Sequence, residues 1–186
     1  MSRLIPALPI PNFVLFPGCT VTLQFGFPAL QEQLQLAKKE SGKIVVAHSL
    51  QGSKGWIPAR VACLADVRAI QSSPHGLKAT LAGLARTRIL GEKYVDGRLY
   101  WACDVLPRQA WKKKKYPELR AMPELVRKCR QQLPAELWLD VAAFHIPGLP
   151  LEQKLNLLAE PDPNLRYHQL LESTRSKKTS PKNSLN

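Results

Sequence analysis

The sequence predicts an α+β fold, in which a small, partly closed β-barrel with one short helix precedes a bundle of about four helices. Apolar and polar residues alternate over short stretches before residue 107, as in half-buried strands. Glycine and proline interrupt these stretches, as in antiparallel barrels. After residue 117 the apolar residues recur at helical spacing instead. The 186 residues, 45% of them hydrophobic, suffice for one packed domain with a smaller helical part.

The apolar segment Leu8–Gly18 lies near the start of the chain and contains three of its sixteen prolines. Proline fixes φ and lacks an N–H group, so the segment favours one or two short strands at the margin of a sheet over a helix or a central strand. Pro17 followed by Gly18 indicates a turn, since glycine adopts the positive φ that such turns need. We therefore expect this segment to lie in the core, with the residues up to about Pro107 wrapped around it.

Alternation and runs of β-branched residues predict the other strands of the barrel. The stretch 56–70 is interpreted as one long strand, or as two strands with a kink, and Ser49–Gly55 as a polar loop. Pro28 fits the first turn of a helix that ends near Lys39. Asp96-Gly97 is the strongest hairpin signal in the chain. The predicted strands are 20–25, 43–48, 56–70, 77–88, 88–95 and 98–106.

Helical spacing of apolar residues predicts four helices after residue 108. Asp162-Pro163 is typical of a helix start, because aspartate accepts hydrogen bonds from free N–H groups and proline needs no partner at the first position. The four predicted helices begin near Pro117, Pro134, Leu151 and Asp162-Pro163.

The pattern divides the chain into three parts. We expect a barrel over residues 1–107 and a helical part over residues 108–173. Residues 174–186 are polar and basic without periodicity, which predicts a disordered basic tail.

The chain is strongly basic, with 27 lysine and arginine residues against 14 aspartate and glutamate residues and a net charge of +13. The excess is present in both halves of the chain, which favours a generally cationic surface over a dedicated basic arm. Such a surface attracts nucleic acids and other polyanions non-specifically.

The distribution of cysteine and histidine predicts neither a metal site nor a catalytic site. The four cysteines form no Cys-x-x-Cys pair, and no histidine lies at metal-ligand spacing from them. No histidine has a nucleophile at fixed local spacing, and His48 is interpreted as a satisfied core residue. No apolar run reaches the roughly 18 residues of a membrane span, and no signal peptide is recognised. We therefore expect a cytoplasmic protein without a metal, a cofactor or a membrane partner.

Three motifs occur in a characteristic order: Leu8–Gly18, then Ala59-Arg60-Val61-Ala62, then Gly83-Leu84-Ala85-Arg86-Thr87-Arg88-Ile89. Ile146-Pro147 and the helix Leu151–Leu158 follow them. Together these motifs resemble the N-terminal substrate-binding domain of Lon proteases over residues 4 to 172. The resemblance implies a pseudouridine-synthase-associated (PUA-like) β-barrel followed by a helical bundle.

The resemblance also implies a binding function, since in full-length Lon proteases this domain engages substrates and adaptors and contributes to hexamer assembly. The chain has no Gly-x-x-x-x-Gly-Lys-Ser/Thr phosphate loop, because Ser41-Gly42-Lys43-Ile44 lacks both the earlier glycine and the final hydroxyl. It also has no room for a serine–lysine protease domain. We therefore expect a stand-alone, non-enzymatic module that binds unfolded or exposed polypeptide, or a protein partner, in proteolysis or quality control.

Polypeptide binding would use exposed apolar surface or an open sheet edge. Large apolar side chains near predicted turns or strand ends are the candidates, although each of them taken singly fits the core better than a binding site. These candidates are Phe27, Trp56, Trp101 and Trp138.

Binding of RNA or DNA is the alternative function. Trp111 and Tyr116 flank a run of lysines and could stack on bases, and Arg86 and Arg88 share one face of a strand. The structural alternatives are a solvated linker for the lysines and a polar outer barrel face for the arginines. A small-molecule pocket in the mouth of the barrel is a third possibility. The lysines are Lys112, Lys113, Lys114 and Lys115.

Overall fold

The fold of this computed structural model is α+β, as predicted, with seven strands and five helices in the described part of the chain. The described residues are 3–52, 55–111, 124–128, 130 and 132–175. The strands are β1 (Arg3–Ile10), β2 (Thr20–Phe25), β3 (Lys43–Gly52), β4 (Gly55–Pro58), β5 (Val61–Ser73), β6 (Gly76–Val95) and β7 (Arg98–Val105). The helices are α1 (Pro28–Glu40), α2 (Glu124–Lys128), α3 (Ala135–His145), α4 (Leu151–Ala159) and α5 (Pro163–Arg175).

Five of the strands pair in a closed ring. β1 pairs with β7, β7 with β6, β6 with β5, β5 with β3, and β3 pairs back to β1. Only the β1–β3 pairing of this ring is parallel. β2 pairs with β6 outside the ring, and β4 pairs with β3. The sheet thus closes on itself and leaves two short strands attached to its outside.

β1 has two partners in the ring but pairs with only one of them along each half, which agrees with the prediction that the segment from Leu8 begins as a strand at the margin of a sheet. Residues 3–6 pair with β7, and residues 7–10 pair with β3. Each half of β1 is therefore paired on one side only. Pro6 lies in the first half and Pro9 in the second, so each proline, which has no N–H group to donate, has a free edge beside it.

A side chain completes the ring where β1 changes partner. The amide of Gln33, from α1, is oriented so that its oxygen accepts from the Leu99 N–H at 2.8 Å and its nitrogen donates to the Leu99 carbonyl at 3.2 Å. Gln33 is buried. Its amide thus supplies the hydrogen bonds that a neighbouring strand would make, so these backbone groups of β7 are satisfied.

Buried apolar side chains form two clusters on the two faces of the sheet. The smaller cluster draws on all five ring strands and fills the inside of the ring, since alternate residues of a strand share one face. The larger cluster joins the outer face to the helices, with Leu8, Val46 and Cys63 packed in one group with Leu139 and Leu157. The sheet and the C-terminal helices therefore share one core.

The turn predicted at Pro17-Gly18 is present and is tied to the centre of β6. The Cys19 N–H donates to the Phe16 carbonyl at 3.2 Å, and Gly18 has a φ of 80°. The Gly18 N–H donates to the Gly83 carbonyl at 2.9 Å, and the Gly83 N–H donates to the Cys19 carbonyl at 2.8 Å. The predicted core position of this segment also holds, because Leu15 and Phe16 are buried.

Three strand predictions change in detail. The stretches 77–88 and 88–95 form one strand, β6, in which a register shift between Ile89 and Gly91 marks an irregularity. The predicted polar loop Ser49–Gly55 belongs largely to the β3–β4 hairpin. The kink predicted within 56–70 separates β4 from β5. Asp96-Gly97 forms the predicted hairpin turn, with φ values of 49° and 75°.

The helices α3, α4 and α5 lie where the sequence predicts them. The Asp162 carboxylate accepts from the Asn164 N–H at 2.8 Å, which confirms the predicted cap of α5. That helix continues to Arg175, two residues beyond the predicted end of the helical part. The predicted helix start at Pro117 and residues 176–186 of the predicted tail lie outside the described residues.

We predict that Gly83→Ala destabilises the fold. A Cβ atom at Gly83 would lie 2.2 Å from the Phe16 carbonyl oxygen and 3.0 Å from the Cys63 sulfur. Crowding of this kind in a packed core costs about 1–3 kcal/mol, measured as the free energy of unfolding in urea. Gly91→Ala is the matched control, since nothing lies within 4 Å of a Cβ at Gly91. Equal unfolding midpoints for the two variants would contradict the prediction.

Candidate functional site

Arg86, a candidate for nucleic-acid binding, is an internal residue in this structure. Its guanidinium binds both carboxylate oxygens of Asp140, at 2.7 Å and 2.5 Å. The Arg86 Nε–H also donates to the Leu158 carbonyl at 2.9 Å. The side chains of Arg86 and Asp140 are 11% and 1% exposed. Arg86 therefore joins β6 to α3 and α4, and its guanidinium is not displayed on an outer barrel face.

Arg166 of α5 completes this buried charge cluster. Its Nη1 donates to the carbonyls of Glu160 and Pro161, both at 2.9 Å, and its Nε lies 3.4 Å from Asp140 Oδ1. Burial lowers the pKa of Arg166 to about 10, while the charge of Asp140 acts to raise it. The guanidinium is thus still protonated at neutral pH. One carboxylate and a set of backbone carbonyls hold two buried cations together.

The remaining basic candidates are not part of this cluster. Arg88 is exposed, two residues along β6 from Arg86, and Lys112–Lys115 lie outside the described residues. The described residues include 18 lysines and arginines and 13 acidic residues, whereas the others include nine basic residues and one acidic residue. Most of the excess positive charge therefore belongs to segments outside the described part.

The four apolar candidates do not come together in one groove. Trp101 is buried inside the ring, and Trp138 is buried under the helices, where its Nε1–H donates to the Val126 carbonyl at 3.0 Å. Phe27 is 76% exposed at the start of α1. The backbone of Trp56 lies in β4, but its side chain is outside the described part.

Phe27 and the β3–β4 hairpin lie at opposite ends of the sheet. Phe25, two residues before Phe27, pairs with Leu77 at the beginning of β6. The β3–β4 hairpin lies just before β5 in the chain. Its end of the sheet is therefore the end where Val61, the first residue of β5, pairs with Arg88. Arg88 is eleven positions beyond Leu77, which corresponds to roughly 35 Å of strand.

Exposed apolar side chains gather at the end of the ring where two hairpins project. β4 and the second half of β6 extend in the same direction beyond the Val61–Arg88 pair. The Ile89 N–H donates to the Arg60 carbonyl at 2.9 Å, and beyond this bond the structure shows no pairing between β4 and β6 in the described residues. We call the two projecting hairpins, residues 49–58 and 90–99, the hairpin end.

The hairpin end carries five of the nine large apolar side chains that are exposed in the described part. These five are Leu50, Ile57, Leu90, Tyr94 and Val95. Leu50 and Ile57 lie directly opposite each other in the β3–β4 register, 60% and 64% exposed. Direct cross-strand partners on one face are in contact distance. The two side chains thus form one apolar patch on the outer face of the hairpin.

This patch continues toward the helices along the outer face of β3. His48 lies two residues before Leu50 on the same face and opposite Ile10 of β1. His48 Nδ1 accepts a hydrogen bond from the Asn12 N–H at 3.0 Å, so the side chain is satisfied as predicted, but it is half-buried on the outer face and is not in the core. Next to Asn12, the ring of Phe13 packs edge-on against Phe144, at 6.4 Å between centroids.

The sequence contained a signal for Leu50 and Ile57 that the prediction of a polar loop passed over. Gly52 and Gly55 flank a two-residue connection, and such spacing is typical of a tight hairpin. Both apolar residues stand two positions outside these glycines. Two residues at equal distances from a two-residue turn lie opposite each other in the hairpin, so their side chains project from the same face.

Two cavities of the described part are lined mainly by polar side chains and lie against helices. A cavity of about 610 Å³ between α4 and α5 is lined mainly by amides and carboxylates, among them Gln153, Asn156, Glu160, Gln169 and Glu172. A second cavity, of about 410 Å³, lies beside α1. Neither corresponds to a pocket in the mouth of the ring.

The described residues offer no activated thiol. Burial raises the pKa of Cys19 to about 12 and that of Cys103 to about 11, and it raises the pKa of Cys63 as well. No group of three or more metal-ligating side chains is found among the described residues. None of the helices in that part of the chain is both long and apolar enough to cross a membrane.

Comparison with known proteins agrees with this fold. A family model described as the ATP-dependent protease La (LON) substrate-binding domain matches residues 4–175. The crystal structure of a Lon N-terminal domain protein from Xanthomonas campestris has a TM-score of 0.69 and 22% identity, with 91% of this chain and 98% of that chain covered. The N-terminal domain of a Lon protease of the Mycobacterium avium complex has a TM-score of 0.70 and 17% identity, with 93% and 98% covered. Comparison with curated protein sequences gives no match.

We predict that Asp140→Asn strongly destabilises the protein. Loss of one partner leaves a buried guanidinium uncompensated, which costs about 3–5 kcal/mol. Asp66→Asn is the matched control, because Asp66 pairs with Lys43 and Arg68 near the surface, where such pairs contribute about 0–1 kcal/mol. The free energy of unfolding in urea measures both. A loss at Asp140 no larger than that at Asp66 would show that the buried cluster does not hold the helices on the sheet.

We also predict that Cys19, Cys63 and Cys103 are protected from thiol reagents at pH 8 in the folded protein. In a Cys129→Ser variant, an aromatic disulfide reagent should label these three thiols rapidly only after unfolding. Because their folded pKa values are raised, their contribution to stability is complete below the unfolded thiol pKa of about 8.5. This contribution to stability is lost as the pH rises toward the raised pKa values of the thiols in the folded protein. Rapid labelling of the folded variant would contradict this assignment.

Proposed function

Because the chain belongs to the family of ATP-dependent protease La (Lon) substrate-binding domains, we propose that it is a non-enzymatic module that binds exposed apolar segments of polypeptides at the hairpin end. The observation that supports this proposal is the gathering of exposed apolar side chains on two projecting hairpins. Apolar surface of this kind, without helices over it, is typical of a site for another chain.

The patch formed by Leu50 and Ile57 is suited to weak, reversible binding. Full burial of an aliphatic side chain gives about 1.5–3 kcal/mol. Association also restricts the translation and rotation of the two molecules, which costs at least about 4 kcal/mol. Two such side chains with a few flanking contacts therefore favour transient capture of a polypeptide. Transient capture fits a module that passes substrates onward.

The setting that we propose is cytoplasmic proteolysis or quality control, with an unfolded polypeptide or a protein partner as the ligand. The division into a sheet part over 1–107, a helical part over 108–173 and a basic tail is part of this proposal. The shared core and the Arg86–Asp140 pair argue that the first two parts act as one body.

Nucleic-acid binding is the second candidate, and the charge of the undescribed segments favours it. Lys112–Lys115 belong to segments with nine basic residues and one acidic residue. Binding of this kind weakens steeply as salt rises, because counterions are released from the nucleic acid. A site centred on the lysines would be sensitive to their replacement and insensitive to replacement of Leu50 and Ile57.

We predict that the double variant Leu50→Ser/Ile57→Ser binds unfolded polypeptide about tenfold more weakly, since roughly 1.4 kcal/mol of apolar burial is lost. The probe is labelled, carbamidomethylated α-lactalbumin, and fluorescence anisotropy at moderate salt is the measurement. The control is Phe27→Ser/Leu165→Ser, which removes two exposed apolar side chains away from the hairpin end.

Equal affinities for the two double variants would refute a polypeptide site at the hairpin end. Tight binding of a mixed oligonucleotide that falls with salt and with replacement of Lys112–Lys115, together with no binding of the unfolded probe, would establish the second candidate instead.

A further inference from the structure

We propose that the free edge of β4 accepts an extended polypeptide as an added strand, and that Arg60 and Arg88 select segments with acidic residues beside the apolar ones. This inference rests on the proposed function and names the substrate class of the same site. Strand addition uses backbone hydrogen bonds for affinity and alternate side chains for selection.

The register identifies the backbone groups that β4 leaves unpaired. The Ala59 N–H donates to the His48 carbonyl at 2.9 Å. Hydrogen-bonded positions alternate along an antiparallel pair, so Ile57 and Gly55 face β3 while Trp56 and Pro58 face the other edge. No other described strand pairs with β4 at that edge. The edge therefore offers the N–H and carbonyl of Trp56 and the carbonyl of Pro58.

Pro58 limits what this edge can bind. Proline has no N–H group, so the outward edge of β4 has one donor and two acceptors. Prolines and charges on edge strands prevent long, indiscriminate pairing between sheets. The edge thus suits a short segment of a few residues and disfavours a long edge-to-edge contact.

An added strand would extend the apolar patch of the hairpin. Leu50 and Ile57 form a cross-strand pair on the outer face, and the residue of an added strand opposite Ile57 would project to that same face. An apolar residue at that position would pack on exposed Ile57. The neighbouring positions of the added strand would project to the other face, which predicts alternation in the bound segment.

The charge at the root of the hairpin selects among such segments. Arg60 follows β4 where β4 separates from β6, and Arg88 lies on β6 at the last pair with β5. Both are exposed, and within the described part neither guanidinium forms an ion pair within 4 Å, although Asp104 lies directly opposite Arg88 in the β6–β7 register. Ile57 and Arg60 are three residues apart, or roughly 10 Å of strand. Acidic side chains two or three residues beyond the apolar ones would therefore meet these cations.

The first test uses N-methyl groups to distinguish strand addition from side-chain docking. The parent probe is a labelled ten-residue peptide of alternating valine and serine. It is made in two versions, one with two aspartates at the N-terminal end and one with two aspartates at the C-terminal end. Each version has two derivatives. In one derivative the backbone nitrogens of the valines are methylated, and in the other those of the serines are methylated. Since only one set of N–H groups faces β4, we expect one derivative to bind about tenfold more weakly and the other to bind like the parent.

The second test measures the charge preference. Peptides with lysines in place of the aspartates should bind the protein about tenfold more weakly than the better aspartate version, since two ion pairs are lost. The variant Arg60→Glu/Arg88→Glu should reverse this preference. The control Lys78→Glu/Arg127→Glu makes the same change in net charge at two exposed basic residues outside the hairpin end and should keep the preference.

The outcomes separate this inference from the proposed function. Equal effects of the two N-methyl patterns, or equal affinity for acidic and basic peptides, would overturn the inference. If the peptides still lost affinity with Leu50→Ser/Ile57→Ser, the proposed function would stand without it. If no peptide and no unfolded probe bound, both would fail.

Discussion

The buried ion pair between Arg86 of β6 and Asp140 of α3 is the interaction on which the arrangement of sheet and helices depends. Two guanidiniums share one carboxylate, so the cluster has an excess positive charge in the core. The carbonyls of Leu157 and Leu158 belong to the last turn of α4, where backbone carbonyls lack helical partners and the helix dipole is negative. Arg86 satisfies these carbonyls while they offset its charge. A cation from the sheet thereby fixes two helices at once.

The helices leave the sheet uncovered immediately beyond this cluster. Arg86 and Arg88 lie on the same face of β6, but Arg86 is buried beneath α3 and α4 whereas Arg88 is exposed. The helices therefore cease to cover β6 between Arg86 and Arg88, which are about 7 Å apart along the strand. Beyond that line β4 and β6 separate, and their hairpins carry apolar side chains with no helix over them. The apolar hairpin end is thus a consequence of how far the helices reach.

Local signals were sufficient to predict most elements of the fold but not the contacts between them. Pro17-Gly18 and Asp96-Gly97 were recognisable because positive φ values favour glycine and asparagine or aspartate. The parallel β1–β3 pairing that closes the ring joins residues some 38 positions apart, and no local pattern encodes it. Alternation predicts that Arg86 and Arg88 share one face of β6, but a strand pattern does not tell whether helices cover that face. Trp101 stood near a predicted strand end, yet the ring encloses it.

The hairpin end combines an exposed apolar patch with a free sheet edge, and such a combination promotes self-association. Three features of this chain act against it. Pro58 removes one outward donor, so a second copy of β4 would leave an acceptor unpaired at each proline. Arg60 and Arg88 lie at the root of the hairpin, and neither forms an ion pair within 4 Å among the described residues. The net charge of +13 repels every further copy of the chain. The charges that discourage pairing between copies are the same charges that attract an acidic segment, so protection from aggregation and choice of ligand have one physical origin.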